Sequence, residues 1–94
     1  MTIDEFQEQI RQIYYNKDKE RGLDGTFRWF VEEVGELAKA LRNRDPVSLK
    51  EELGDCMAWL VSLGSITGVA MSDAVQKYAS GCPKCFQTPC SCRE

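Results

Sequence analysis

Six carboxylates fall in two short clusters, Glu32-Glu33-Val34-Gly35-Glu36 and Glu51-Glu52-Leu53-Gly54-Asp55. Between them lies one turn signal, Asn43-Arg44-Asp45-Pro46. Oxygen ligands at this spacing can hold a hard divalent cation, and carboxylates can also move protons. A second reactive set closes the chain. Cys82, Cys85, Cys90 and Cys92 lie within eleven residues, and thiolates favour softer metals than carboxylates do. The chain has no histidine. That excludes Ser/His/Asp and Cys/His nucleophilic chemistry, and it excludes the Glu-x-x-His di-iron bundle. Proton transfer must come from carboxylates, Lys, Tyr or metal-bound water.

Helical spacing separates the roles of the acidic residues. At about 100° per residue, Phe27, Phe30, Val31, Val34, Ala38 and Leu41 share one apolar stripe. Trp29, Glu33, Glu36 and Ala40 share another. Glu32 points away from both, beside Arg28, which can pair with it. On the following arm Leu49, Leu53, Cys56, Met57, Leu60 and Gly64 form the apolar stripe, and Ser48, Glu52, Asp55, Trp59 and Ser62 form the separate one. An antiparallel hairpin turning at Arg44 sets Glu33 against Asp55, Glu36 against Glu52, and Trp29 against Trp59. Gly35 and Gly54 are expected to let the two backbones approach there. Four facing carboxylates repel one another and raise their own pKa values. A bound Mg²⁺ or Mn²⁺ resolves the repulsion. The alternative is a solvated acidic face, which suits Glu32 and Glu51.

The run Phe27-Arg28-Trp29-Phe30-Val31-Glu32-Glu33-Val34-Gly35-Glu36-Leu37, followed by Glu52-x-x-Asp55, resembles the MazG-like all-α nucleoside triphosphate pyrophosphohydrolases. The resemblance implies hydrolysis of an NTP or dNTP to the monophosphate and pyrophosphate, with a role in cleaning the nucleotide pool. It implies Mg²⁺ held by Glu33, Glu36, Glu52 and Asp55. Glu33 or Glu36 is expected to activate the water, and Trp29 and Trp59 to stack the base. The competing role of both indoles is packing. Lys50 and Lys77 are further candidates for phosphate or sugar contacts. Family members assemble as dimers or tetramers, so a homodimer or homotetramer is implied. Two other readings stand beside this one. The first is a pyrophosphatase selective for dUTP or dCTP, and the second is a non-catalytic metal-binding interaction module.

The elements that must position these groups are all helical. Thr2 and Glu5 form a capping-box signature for a helix reaching about Asn16 or beyond. Lys17-Asp18-Lys19-Glu20-Arg21-Gly22 reads as an exposed, solvated connection. Its functional alternative is a phosphate-binding lid using Lys17, Lys19 or Arg21. Asp24-Gly25-Thr26 starts the first acidic helix. Asp45 caps the next one, with Pro46 at its first position, and that helix runs to about Ile66. Ser72 then caps a short last helix from Asp73 to about Tyr78. The expected fold is an all-α bundle of about four helices built on the hairpin. One hairpin cannot cover both its core stripe and its Trp-rich site, so the first and last helices, with a partner subunit, are expected to complete the bundle.

Ninety-four residues make one small domain, divided here into an all-α body, 1–80, and a Cys-rich tail, 81–94. The net charge is −3 with no basic patch, so a nucleic-acid polymer is not an expected partner. No apolar run is of bilayer length and no signal-peptide pattern is present. No membrane partner is expected, and the expected location is cytoplasmic. The two Cys pairs of the tail suit a structural Cys₄ zinc site. The linker Phe86–Pro89 is shorter than in ordinary zinc ribbons. Two disulfides, or a disordered tail with free thiols, are the alternatives. Cys56, on an apolar stripe, reads as core.

Overall fold

The computed structural model describes residues 1–93. It is all-helical, with no strand among the described residues. Helix α1 spans Ile3–Asn43, α2 spans Pro46–Thr67, and α3 spans Met71–Ala74, followed by a 3₁₀ turn at Val75–Tyr78. Among the described residues no single helix is long and apolar enough to cross a membrane.

Local chemistry explains the helix boundaries. Thr2 and Glu5 form the full capping box: Thr2 Oγ1 accepts from the Glu5 N–H at 3.1 Å, and Glu5 Oε1 accepts from the Thr2 N–H at 3.0 Å. Helix α1 ends at Arg44 in the left-handed region (φ 51°). Asp45 immediately caps α2, its Oδ1 accepting from the Val47 and Ser48 N–H groups with Pro46 at the first position. This short connection makes α1 and α2 an antiparallel hairpin. Gly68 (φ 76°) ends α2.

Two boundaries differ from expectation. Lys17 to Arg21 is helix, not a solvated connection. The only break in α1 is Gly22, at φ 72° and ψ −176°, a region open in practice to glycine alone. Lys, Glu and Arg are good helix formers, and Asp18 pairs with Arg21 one turn on. A charged run therefore did not imply a loop. The helix resumes directly after Gly22, so Thr26 is not an N-terminus but a fully buried interior residue. The last helix begins after Ala70 rather than at Ser72. Its first N–H, on Met71, donates to Gln7 Oε1 at 2.8 Å, so its cap comes from α1 and not from a local side chain.

Gly22 lets the first part of α1 cross the C-terminal half of α2. Buried Gln7 ties this crossing together. Its Nε2 donates to the Val61 carbonyl, to Ser65 Oγ and to the Val69 carbonyl at 2.9–3.3 Å. Gly64 permits the contact, since a Cβ there would meet Met71 Sδ, Gln7 Nε2 and the Val69 carbonyl within 2.9 Å. Gly35 and Gly54 do not serve this purpose, because a Cβ at either would meet open space.

The packed seam mixes small, polar and apolar groups: Ile10, Thr26, Ala40, Val61, Ser62 and Gly64 are buried. The two expected apolar stripes are mostly uncovered in the single chain. Phe27, Val31 and Leu41 on α1, and Leu53, Met57 and Leu60 on α2, are all exposed. The hairpin packs through the stripes that carry Trp29, Glu33, Trp59 and Ser62, so the bulky stripes face outward. The radius of gyration is 15.5 Å, against about 12 Å for a compact chain of this length.

Candidate active site

Packing through these stripes places polar groups from both arms, and from the crossing segment, around one cleft. The cleft is about 320 Å³ and is lined by Tyr14, Lys17, Asp18, Arg21, Trp29, Glu33, Asp55, Ala58, Trp59 and Ser62. At one end Glu33, Glu52 and Asp55 each present a carboxylate oxygen within 4.8 Å of the others. Burial, then hydrogen bonding to Glu52, then the charges of Asp55, Glu52 and Glu36 push the Glu33 carboxyl up to about 7. Glu52 Oε2 is buried and has no hydrogen-bond partner. A buried acceptor without a donor is costly, and a cation placed among the three carboxylates would satisfy it. The donor set is oxygen only, which suits Mg²⁺ or Mn²⁺.

Glu36 is exposed and lies outside this trio, although its charge reaches Glu33. It follows Glu33 by three residues, so it is displaced about 60° around α1 and about 4.5 Å along it. Repulsion from the trio favours the solvated position. The expected four-way meeting is thus a three-way meeting with Glu36 beside it. Glu32 is exposed, as its angular position requires. No ion pair joins it to Arg28 among the described residues.

At the other end of the cleft the indoles of Trp29 and Trp59 stack, with centroids 6.1 Å apart and planes 12° from parallel. The Arg21 guanidinium lies 4.7 Å from the Trp59 ring centroid and bonds to Asp18. Its Nε is buried without an acceptor. Lys17 lines the same wall. The cleft therefore joins an acidic end to an aromatic and basic end.

The span from residue 21 to residue 86 matches the MazG nucleotide pyrophosphohydrolase domain. The chain belongs to the MazG family. No relative among curated proteins matches it. The match covers both acidic clusters and both indoles of this MazG domain, and it stops between the two Cys pairs of the tail.

Lys50 and Lys77 do not line the cleft. Lys50 is exposed on α2, and Lys77 lies over the Tyr78 ring, 5.3 Å from its centroid. Cations on the cleft come from Lys17 and Arg21 instead. Ser62 lines the cleft as its stripe with Asp55 and Trp59 requires, whereas Tyr14 and Asp18 were not expected there. The signal was present: Tyr14, Asp18 and Arg21 recur at spacings of four and three, one face of an unbroken helix.

The four tail cysteines form a second cluster. One Sγ from each of Cys82, Cys85, Cys90 and Cys92 lies within 4.8 Å of the others, and all are free thiols. Hydrogen bonds from the backbone N–H groups of Ser91 and Gln87 pull the Cys85 thiol down to about 6.

Proposed function

We propose that this MazG domain hydrolyses nucleoside triphosphates, NTP or dNTP, to the monophosphate and pyrophosphate in a Mg²⁺-dependent reaction. The observation that carries the reading is the single cleft joining the trio Glu33, Glu52 and Asp55 to the stacked Trp29–Trp59 pair. Glu33, Glu52 and Asp55, with Glu36 beside them, would hold the ion. When bound, Mg²⁺ neutralises phosphate charge and lowers the pKa of a coordinated water. Arg21 and Lys17 meet the phosphate or sugar, and the buried Arg21 Nε gains an acceptor there. The indoles hold the base, with Trp29 the more open of the two at 47% exposure. Water attacks the α-phosphorus, the bond between the α-phosphorus and its bridging oxygen breaks, and pyrophosphate leaves. Glu33 or Glu36 takes the proton of the attacking water.

The exposed apolar stripes support a homodimer or homotetramer. A groove of about 480 Å³ lined by Met1, Ile3, Phe6, Met57, Leu60 and Val75 adds to them, since uncovered apolar area of this extent marks an interface. A cytoplasmic location would put the enzyme with its nucleotide pool. The deciding experiment is pyrophosphate release from a panel of NTPs and dNTPs with Mg²⁺ or with EDTA. Release that needs Mg²⁺ supports the reading. No release from any of them, with the protein folded and oligomeric, overturns it in favour of a non-catalytic interaction module.

A further inference from the structure

The tail carries chemistry that nucleotide hydrolysis does not use. Cys82 Sγ lies 3.8 Å from Cys92 Sγ, and Cys85 Sγ lies 3.9 Å from Cys90 Sγ. A tetrahedron of Zn–S bonds of about 2.3 Å has edges of about 3.8 Å. Each close pair takes one thiol from the Cys-x-x-Cys turn and one from the Cys90-Ser91-Cys92 strip. The two pairs therefore cross-link the tail's two halves as opposite edges of one tetrahedron.

The backbone is shaped to the same end. The Phe86 N–H donates to the Cys82 carbonyl at 2.7 Å, and the Cys82 N–H donates to the Gln87 carbonyl at 3.1 Å. Gly81 sits at φ 107°, and a Cβ there would meet Thr88 Oγ1 at 2.8 Å and the Gln87 carbonyl at 3.1 Å. The Ser91 N–H points at Cys85 Sγ (3.4 Å) and the Cys92 N–H at Cys90 Sγ (3.3 Å). Backbone donors aimed at sulfur spread the charge of metal-bound thiolates.

Apolar burial does not explain this order. Phe86, the tail's only large apolar side chain, is 69% exposed. A segment with so little to bury cannot offset its own ordering entropy, whereas a structural zinc ion supplies folding energy outright.

We propose that Cys82, Cys85, Cys90 and Cys92 form a closed structural zinc site that folds the tail, separate from the carboxylate site. The two sites sort metals by ligand: thiolate sulfur takes the borderline-soft Zn²⁺ and carboxylate oxygen the hard Mg²⁺. Four protein ligands fill the tetrahedron, so no position remains open for substrate. Binding displaces the thiol protons to solvent and changes no oxidation state.

The test uses the full chain, purified with reductant and no chelator, passed over a sizing column in excess Mg²⁺ and assayed for metal. The expected result is about one zinc per chain. The Cys85→Ser/Cys90→Ser variant should lose that zinc, and Cys56→Ser should keep it. Titrating Co²⁺ into the reduced, zinc-stripped chain should give the visible bands of a tetrahedral tetrathiolate. Amide exchange in residues 81–93 should be slow with zinc and fast without it. Free thiols with no metal taken up, two disulfides in reductant, or iron in place of zinc would each overturn the assignment. Pyrophosphate release from the same samples keeps the readings apart, since zinc content and tail protection do not depend on hydrolysis.

Discussion

Trp29 and Trp59, on opposite arms of the hairpin and thirty residues apart in sequence, stack with their planes 12° from parallel. Trp29 precedes Glu33 by four residues and Trp59 follows Asp55 by four, so an antiparallel pairing must bring both to the same end of the acidic trio. Four residues, about 6 Å, separate each indole from its carboxylate along the axis. A nonhydrolysable dNTP analogue should therefore change tryptophan fluorescence in Mg²⁺ and leave it unchanged in EDTA. Trp29→Ala should raise KM more than it lowers kcat, because an indole that holds the base acts alike in ground and transition states. An equal fall in kcat with KM unchanged would place Trp29 in the chemical step instead.

The carboxylates should separate into classes by mutation. Asp55→Asn and Glu52→Gln remove a charge from the trio and should cut kcat/KM by on the order of 10²-fold or more, about 2.7 kcal/mol of transition-state stabilisation. Glu36→Gln should be comparably damaging if Glu36 joins the ion or the water on substrate binding. Glu32→Gln, exposed and away from the cleft, should stay within about 2-fold. Steady-state kinetics on the four variants, with circular dichroism as a folding control, would show whether Glu32 belongs with the others.

Stability without metal should fall as pH rises. The Glu33 carboxyl is raised from 4.5 to about 7, so the folded chain binds this proton more tightly than the unfolded chain does. The resulting stabilisation is fully present below about 4.5 and is lost as pH rises through about 7. In EDTA the melting temperature should be higher at pH 5 than at pH 8, all else being equal. Glu33→Gln should flatten that dependence. Added Mg²⁺ should stabilise more at pH 8, where the Glu33 carboxyl has lost its proton and can bind it. Thermal melts at the two pH values, with and without Mg²⁺, read both effects.

Gly22 is the single joint that turns α1 across α2. Gly22→Ala forces a side chain into a backbone region that suits glycine, at a cost of order 1–3 kcal/mol. It should also loosen Arg21 beside Trp59, since residue 21 precedes the joint. Urea unfolding should show the loss, and nucleotide affinity should weaken with it. A Gly22→Ala protein as stable as the parent would mean that the helix can straighten freely.

Much of the site was legible because its geometry is local. Helical angle and one turn signal suffice to bring Trp29 to Trp59 and Glu33 to Glu52 and Asp55, since an antiparallel helix pair with a short connection has little freedom of register. The caps at Thr2 and Asp45 were legible for the same reason: each is made by atoms within three residues of the helix start.

Other features depended on contacts far apart in the chain. The helix formers of Lys17-Asp18-Lys19-Glu20-Arg21 allow the helix to continue, but nothing local says that it turns at Gly22, and that turn brings Tyr14, Asp18 and Arg21 to the cleft. Hydrophobic period alone does not say what covers the apolar stripes. It reports which residues avoid water, and it cannot say whether a sister helix or another protein surface covers them. Here the hairpin closed over Thr26, Ala40 and Ser62, whose small side chains let the helices approach, and left Phe27, Val31 and Met57 outside. The four cysteines were visible as metal ligands by type. Only the folded tail, turned at Gly81 and Phe86, showed that their sulfur atoms converge on one point.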